Sequence, residues 1–238
     1  MKVKSFAAPR MLVATAAQTR TLLRGCLAVF LGHRLAAALA LLAAVLAGLI
    51  IAPHDVAWLR AVHVWHGDGE TTARDLAWYL GTFGDYPTYN VPFALLIWLY
   101  GVRTRRGHWR RVAIVCLLGA TFAGLFDDCF RLTLGRARPD TDPAGHFYGP
   151  SHAFSGGFQS FPSGHAASTF GAAAALLLVD VPLGVLATCI AAGVVWARME
   201  LDRHFPSDVA VGAIVGLYFG LLVGFAARAP RRRQGPLS

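Results

Sequence analysis

A chain of 238 residues with 55% hydrophobic and 15% charged residues falls well short of the roughly 25% charge of an ordinary soluble domain. Its mean hydropathy of +0.50 indicates that much of its apolar surface meets lipid rather than water. The formal charge is +9, but the basic residues sit beside apolar runs, which points to membrane topology and an anionic substrate rather than to nucleic acid.

Residues 1–34 carry Lys2, Lys4, Arg10, Arg20, Arg24 and Arg34. The run Met11–Leu31, interrupted by Arg20 and Arg24, predicts an amphipathic helix on the cytoplasmic face. Leu35–Ala52 is almost entirely Ala, Leu, Val and Ile and predicts the first span. It is longer than a signal-peptide core and more spans follow, so it reads as an uncleaved helix. His54–Asp85 is polar, with Trp58, Trp65, Trp78 and Tyr79 interleaved, and predicts short helices at the outer interface. His63 and His66 lie there and read as interfacial rather than metal-binding.

Tyr86–Val102 predicts the second span, followed by the basic loop Arg103, Arg105, Arg106, Arg110 and Arg111. Val112–Phe130 predicts the third span, and 131–162 a long loop containing Gly and Pro. His165–Val179, Leu183–Ala197 and Pro206–Ala227 predict the remaining three, followed by Arg228 and Arg231–Arg233. The expected fold is all-α: a membrane domain of six helices over 35–227, between a basic segment 1–34 and a basic tail 228–238. The basic clusters then share one side, which the positive-inside rule makes cytoplasmic, with both termini there. Segments 54–85, 131–162 and 198–205 face outward. Cys26, Cys116, Cys129 and Cys189 form no C-x-x-C pair and are expected to be small core residues.

Three polar stretches reach the external face. In Ala197–Asp208, Pro206 suits the first position of a helix, which puts Asp208 in its first turn and His204 just ahead. A carboxylate so close can accept a hydrogen bond from one imidazole nitrogen and leave the other free as a nucleophile. Arg198 adds a permanent cation. In Phe161-Pro162-Ser163-Gly164-His165, Ser163 is a good N-cap, Gly164 permits close backbone approach, and the helix N-terminus suits a phosphate. In Arg131–Pro139, Arg131 follows Asp127 and Asp128, which are spaced to pair with it on one helix face. These two aspartates are expected either to support the site from behind or to form a plain helix-end salt bridge. Arg136 is expected to contact lipid headgroups. Arg131, Arg138, Arg198, two helix N-termini and two histidines make a set suited to a phosphoryl group and poorly suited to a metal ion. The segment from Phe147 to Gln159 is expected to shape the substrate entrance.

These stretches resemble the type 2 phosphatidic acid phosphatase superfamily, the lipid phosphate phosphatases. Its signature is K-x6-R-P, then P-S-G-H, then S-R-x5-H-x3-D. Here Arg131 with Arg138-Pro139, Pro162-Ser163-Gly164-His165, and Arg198, His204 and Asp208 match in order and spacing. Arg131 replaces the usual Lys and Ala197 the usual Ser. The resemblance implies a cofactor-free, metal-independent phosphatase of the inner membrane, with its site on the periplasmic side. His204 is the implied nucleophile, with Asp208 orienting it. His165 is the implied acid, and Arg131, Arg138, Arg198, Ser163 and Gly164 are the phosphate-binding residues. The implied partners are a lipid phosphate or diphosphate substrate and the surrounding membrane lipids, with no nucleic acid. A lipid phosphotransferase, and a non-catalytic membrane protein that binds or transports phosphate lipids, are the alternatives. Headgroup, tail length and oligomeric state are not written in these residues.

Overall fold

The computed structural model describes residues 8–64, 70–152 and 154–228. The basic residues at Lys2, Lys4 and Arg231–Arg233, and Trp65 and His66, lie outside these. Among the described residues the structure is helical and has no strand, only an isolated bridge between Arg136 and Phe147. The helices are α1 (Ala8–Gly32), α2 (Arg34–Ile51), α3 (Asp55–Val64), α4 (Glu70–Phe83), α5 (Val91–Arg103), α6 (Gly107–Leu134), α7 (Gly164–Val179), α8 (Val181–Glu200) and α9 (Pro206–Arg228). A π-helical turn, Tyr86–Asn90, leads into α5.

Four helical stretches among the described residues are long and apolar enough to cross a membrane: Arg34–His63, Gly107–Leu134, Val181–Glu200 and Pro206–Arg228. Two expected spans are shorter than the roughly 20 residues a bilayer core requires. α5 has 13 residues behind its π turn, and α7 has 16. The short α7 is about 24 Å long at 1.5 Å per residue. It is also the centre of the bundle, packed against α6, α8 and α9.

Lipid tails are as apolar as leucine, so helices in a membrane associate through close packing of small residues. α9 carries Gly212, Gly216 and Gly220 at four-residue spacing along one face. A Cβ at Gly212 would lie 2.5 Å from the Ser163 carbonyl, and one at Gly216 2.5 Å from the Ala167 carbonyl. The facing side of α7 is itself alanine-rich, with Ala166, Ala167 and Ala172–Ala175 buried. These two backbones touch because neither helix has side chains to keep them apart.

α1 is helical as expected and packs at the end of the bundle where α6 begins and α9 finishes. There Leu22 and Cys26 are buried with Ile114, Val115, Val223 and Ala226. Cys116 is also buried, whereas Cys129 and Cys189 are exposed; all four thiols are free. The expectation of four core cysteines therefore holds for two.

Candidate active site

The C-terminal ends of α6 and α8 and the N-terminal ends of α7 and α9 lie at one end of the bundle, and the candidate residues are on these ends. Gly135 closes α6 at φ 56°, a left-handed value, and a Cβ there would collide with the Gly149 carbonyl. Ser163 caps α7, its hydroxyl accepting from the Ala166 N–H at 3.5 Å. The Ser163 N–H in turn donates to the Asp208 carbonyl at 3.1 Å, tying the start of α7 to the start of α9. After α8 the chain reverses through Asp202 at φ 53°. The Arg198 carbonyl then accepts the N–H groups of Arg203 and His204 at 3.0 and 3.2 Å.

His204 is 2% exposed. Its Nδ1 lies 2.7 Å from the Ser160 carbonyl. A carbonyl can only accept, so Nδ1 carries the proton and Nε2 the lone pair in the neutral ring. Burial, followed by the charges of Arg198 and Arg138, holds the imidazole pKa well below its usual 6.5, against a smaller opposing effect of the Ser160 bond. Nε2 has no hydrogen-bond partner among the described residues.

The expected hydrogen bond from His204 to Asp208 is not made. The nearest carboxylate oxygen is 3.8 Å from Nδ1. Asp208 instead accepts from the Phe205 N–H at 2.8 Å and the Ser160 hydroxyl at 2.6 Å. The first contact is a capping arrangement: with Pro206 opening the helix, the side chain two residues on reaches back to the N-cap N–H. Ser160 thus links the two residues, its hydroxyl donating to Asp208 and its carbonyl accepting from His204 Nδ1.

Arg136 also departs from expectation, because it is buried and does not face lipid headgroups. Its Nη1 donates to Asp208 and, at 2.8 Å, to the Ser207 hydroxyl. Its Nη2 donates to Asp55 at 2.8 Å. Asp55 also accepts from the Ser207 N–H at 2.8 Å and its hydroxyl at 2.5 Å. The guanidinium lies over the Phe205 ring, 4.5 Å from its centroid. The Arg136 carbonyl accepts the Ser160 N–H at 3.0 Å, so one residue braces both Asp208 and the loop that holds His204. Asp55, Arg136 and Ser160 carry no motif. Only their buried polar character in a membrane protein signals them, and that appears once the chain is folded.

Arg131 pairs with Asp128 at 2.5 Å, as the spacing suggested. Asp127 does not join them: it is fully buried, and neither carboxylate oxygen has a hydrogen-bond partner among the described residues. A Cβ at Gly164 would lie 3.4 Å from its Oδ2 and 3.6 Å from Arg131 Nη1, so this glycine opens the helix N-terminus towards both. The Nε atoms of Arg131, Arg138 and Arg198 are buried and unpartnered among the described residues. Burial and the nearby charges of Arg203 and Arg131 pull the Arg138 pKa below its usual value. The electrostatics of His165 are shared with Arg198, Asp85 and His204, which places both histidines in one field.

A cavity of about 250 Å³ between the π turn, α6 and α7 reaches the Arg131 and His165 side of this cluster; His204, Arg138 and Arg198 are not in its lining. Arg131, Gly164 and His165 line its head, and Thr121, Gly124 and Leu125 continue its wall down α6. The 147–159 segment does not line it; there Tyr148, His152 and Phe158 pack on one another instead.

A stretch of 107 residues is 41% identical to a lipid A 1-phosphatase of Rhizobium johnstonii, covering 42% of this chain and 42% of that protein. A lipid A 4'-phosphatase of Bacteroides thetaiotaomicron is 31% identical over 128 residues, covering 50% of this chain and 57% of that protein. The chain therefore spans about half the length of these relatives. The fold is similar to the crystal structure of a transmembrane PAP2 type phosphatidylglycerolphosphate phosphatase from Bacillus subtilis, with a TM-score of 0.61. That likeness covers 82% of this chain and 97% of the other at 21% identity, and is one of fold. The PAP2 superfamily model matches residues 112–230, half of the chain and the part that carries every motif residue from Arg131 to Asp208. On that match, the chain belongs to the PAP2 superfamily.

Proposed function

We propose that this chain is an integral-membrane lipid phosphatase that hydrolyses a phosphate monoester or diphosphate through a phosphohistidine. One observation carries the reading: three half-buried arginines, each with a buried and unpartnered Nε, lend their charges to a neutral histidine whose lone pair is on Nε2. Guanidinium forks match phosphate oxygens in shape and charge. The relatives named as lipid A phosphatases support the substrate class.

In the first step Nε2 of His204 forms the N–P bond as the P–O bond breaks. The leaving oxygen takes a proton from His165. In the second, water attacks phosphorus and gives its proton back to His165, and the P–N electron pair returns to His204. Arg131, Arg138, Arg198, the Ser163 hydroxyl and the Gly164 N–H hold the phosphoryl oxygens while charge develops. Asp208 keeps the nucleophile in register through Ser160. Cation chemistry at the phosphate comes from the three arginines, so no divalent ion is needed.

We further infer six membrane crossings, counting the Tyr86–Arg103 unit and α7 as short ones, with both termini cytoplasmic. The basic residues Arg103–Arg111 lie where α5 ends and α6 begins, opposite the end that holds the site. The positive-inside rule then puts the site on the periplasmic side of the inner membrane. A headgroup can enter from the outer leaflet while its tails lie against α6.

The test is phosphate release by the purified full-length protein, with chelator, from lipid A, phosphatidate, phosphatidylglycerol phosphate and undecaprenyl diphosphate. Turnover of at least one lipid is expected, with His204→Ala inactive but folded. Strict dependence on a divalent ion, or no release from any of them, refutes the proposal.

A further inference from the structure

His165 has to carry a proton at the moment the leaving oxygen departs, yet it sits among cations. Arg198 faces it from α8, and Arg131 lines the same cavity from α6. His204 adds no negative charge. Of the acids around it, Asp128 is bound by Arg131 at 2.5 Å, and Asp208 is bound by Arg136 and Ser160. Asp127 faces Gly164 and Arg131 rather than the imidazole. Among the described residues, the acid that meets the imidazole is Asp85, in the turn between α4 and α5. Its Oδ1 is 3.7 Å from His165 Nε2, within ion-pair range, and both residues line the cavity.

Asp85 is held in place from three directions. The same Oδ1 accepts the Tyr86 N–H at 2.8 Å, capping the π turn. The Tyr86 hydroxyl is 2.7 Å from the Thr121 hydroxyl on α6, which anchors that turn. Gly84 is pressed so closely on Val194 of α8 that a Cβ would not fit. The carboxylate is half-exposed, but the anchored turn that carries it keeps it within reach of the imidazole.

We propose that Asp85 is a positioning residue for the acid step, holding His165 through Nε2 so that Nδ1 presents the travelling proton to the leaving oxygen. The inference rests on the phosphoryl-transfer reading above. It adds a carboxylate–histidine pair on the acid side of the site, contributed by a segment outside the three motif stretches. No bond is made or broken at Asp85; its charge stabilises the imidazolium before proton transfer and is relieved of that partner afterwards.

The experiment compares two substrates of the full-length enzyme. One is phosphatidate, whose alkoxide needs a proton to leave. The other is nitrophenyl phosphate, whose phenolate leaves without one. Asp85→Asn keeps an oxygen to cap Tyr86, so the turn stays folded. Its expected effect is a fall of about 10- to 100-fold in the ratio of kcat for phosphatidate to kcat for nitrophenyl phosphate, the size of a general-acid contribution. Asp85→Glu should restore most of the ratio, and Asp85→Asn should have no further effect in a His165→Ala background. An unchanged ratio, whether both activities fall together or neither falls, overturns the proposal. If the wild type releases phosphate from neither substrate, the phosphatase reading itself has failed. If the wild type turns over and only the ratio test fails, the loss is confined to Asp85.

Discussion

Replacing Arg136 with alanine removes the cation between two buried carboxylates. Asp55 is 2% exposed and Asp208 0%, and each loses a charged donor. Breaking a buried ion pair by deleting one partner costs about 3–5 kcal/mol, because the remaining charge stays desolvated. The lost stacking on Phe205 adds to this. For a chain of this size each kcal/mol lowers the melting temperature by roughly 2–4 °C, so Arg136→Ala should melt roughly 6–20 °C below wild type. Arg136→Lys keeps the charge but gathers its donors on one nitrogen instead of a fork that spans Gly145, Asp208 and Asp55, and should fall in between. Asp55→Asn removes one of the two stranded charges, so the cost of Arg136→Ala should shrink by about 1 kcal/mol or more in that background. The assay is thermal unfolding in detergent, with phosphate release measured on the same samples. A melting temperature for Arg136→Ala within about 2 °C of wild type refutes the brace.

The histidine environment gives a pH signature. The pKa of His204 is depressed in the fold and close to 6.5 in the unfolded chain, so below about 6.5 the unfolded state takes up a proton that the folded state refuses. Its contribution is fully present above that pH and is lost as pH falls, by up to about 1.4 kcal/mol per pH unit. Melting curves between pH 5 and 7.5 should show a steeper acid decline for wild type than for His204→Gln; parallel declines would refute the depressed pKa. On α9, Gly216→Ala places a Cβ 2.5 Å from the Ala167 carbonyl, an overpacking that should cost about 1–3 kcal/mol. Gly32→Ala meets nothing within 4 Å and serves as the control. Equal melting of the two variants would mean that α7 and α9 do not depend on close contact.

Much of this protein is legible locally. Hydropathy and basic flanks mark the apolar helices because a bilayer imposes length and composition on any helix that crosses it. The spacing within each polar stretch is also local: Ser163 caps α7, and Arg131 meets Asp128 one helical turn away. His204 and Asp208 illustrate the limit. Their spacing suggests a direct hydrogen bond, but Pro206 starts a helix between them and turns Asp208 back onto the Phe205 N–H. The ring is fixed instead by Ser160, 44 residues away in the chain. Arg136 finds Asp55 at a separation of 81 and Ser207 at 71, and His165 finds Asp85 across the cavity. Pairings of this kind depend on which helix ends meet, which follows from glycine and alanine faces packing in three dimensions. A linear pattern records which side chains are polar; the choice of partner is made by desolvation, which acts on them only once the helices have packed together.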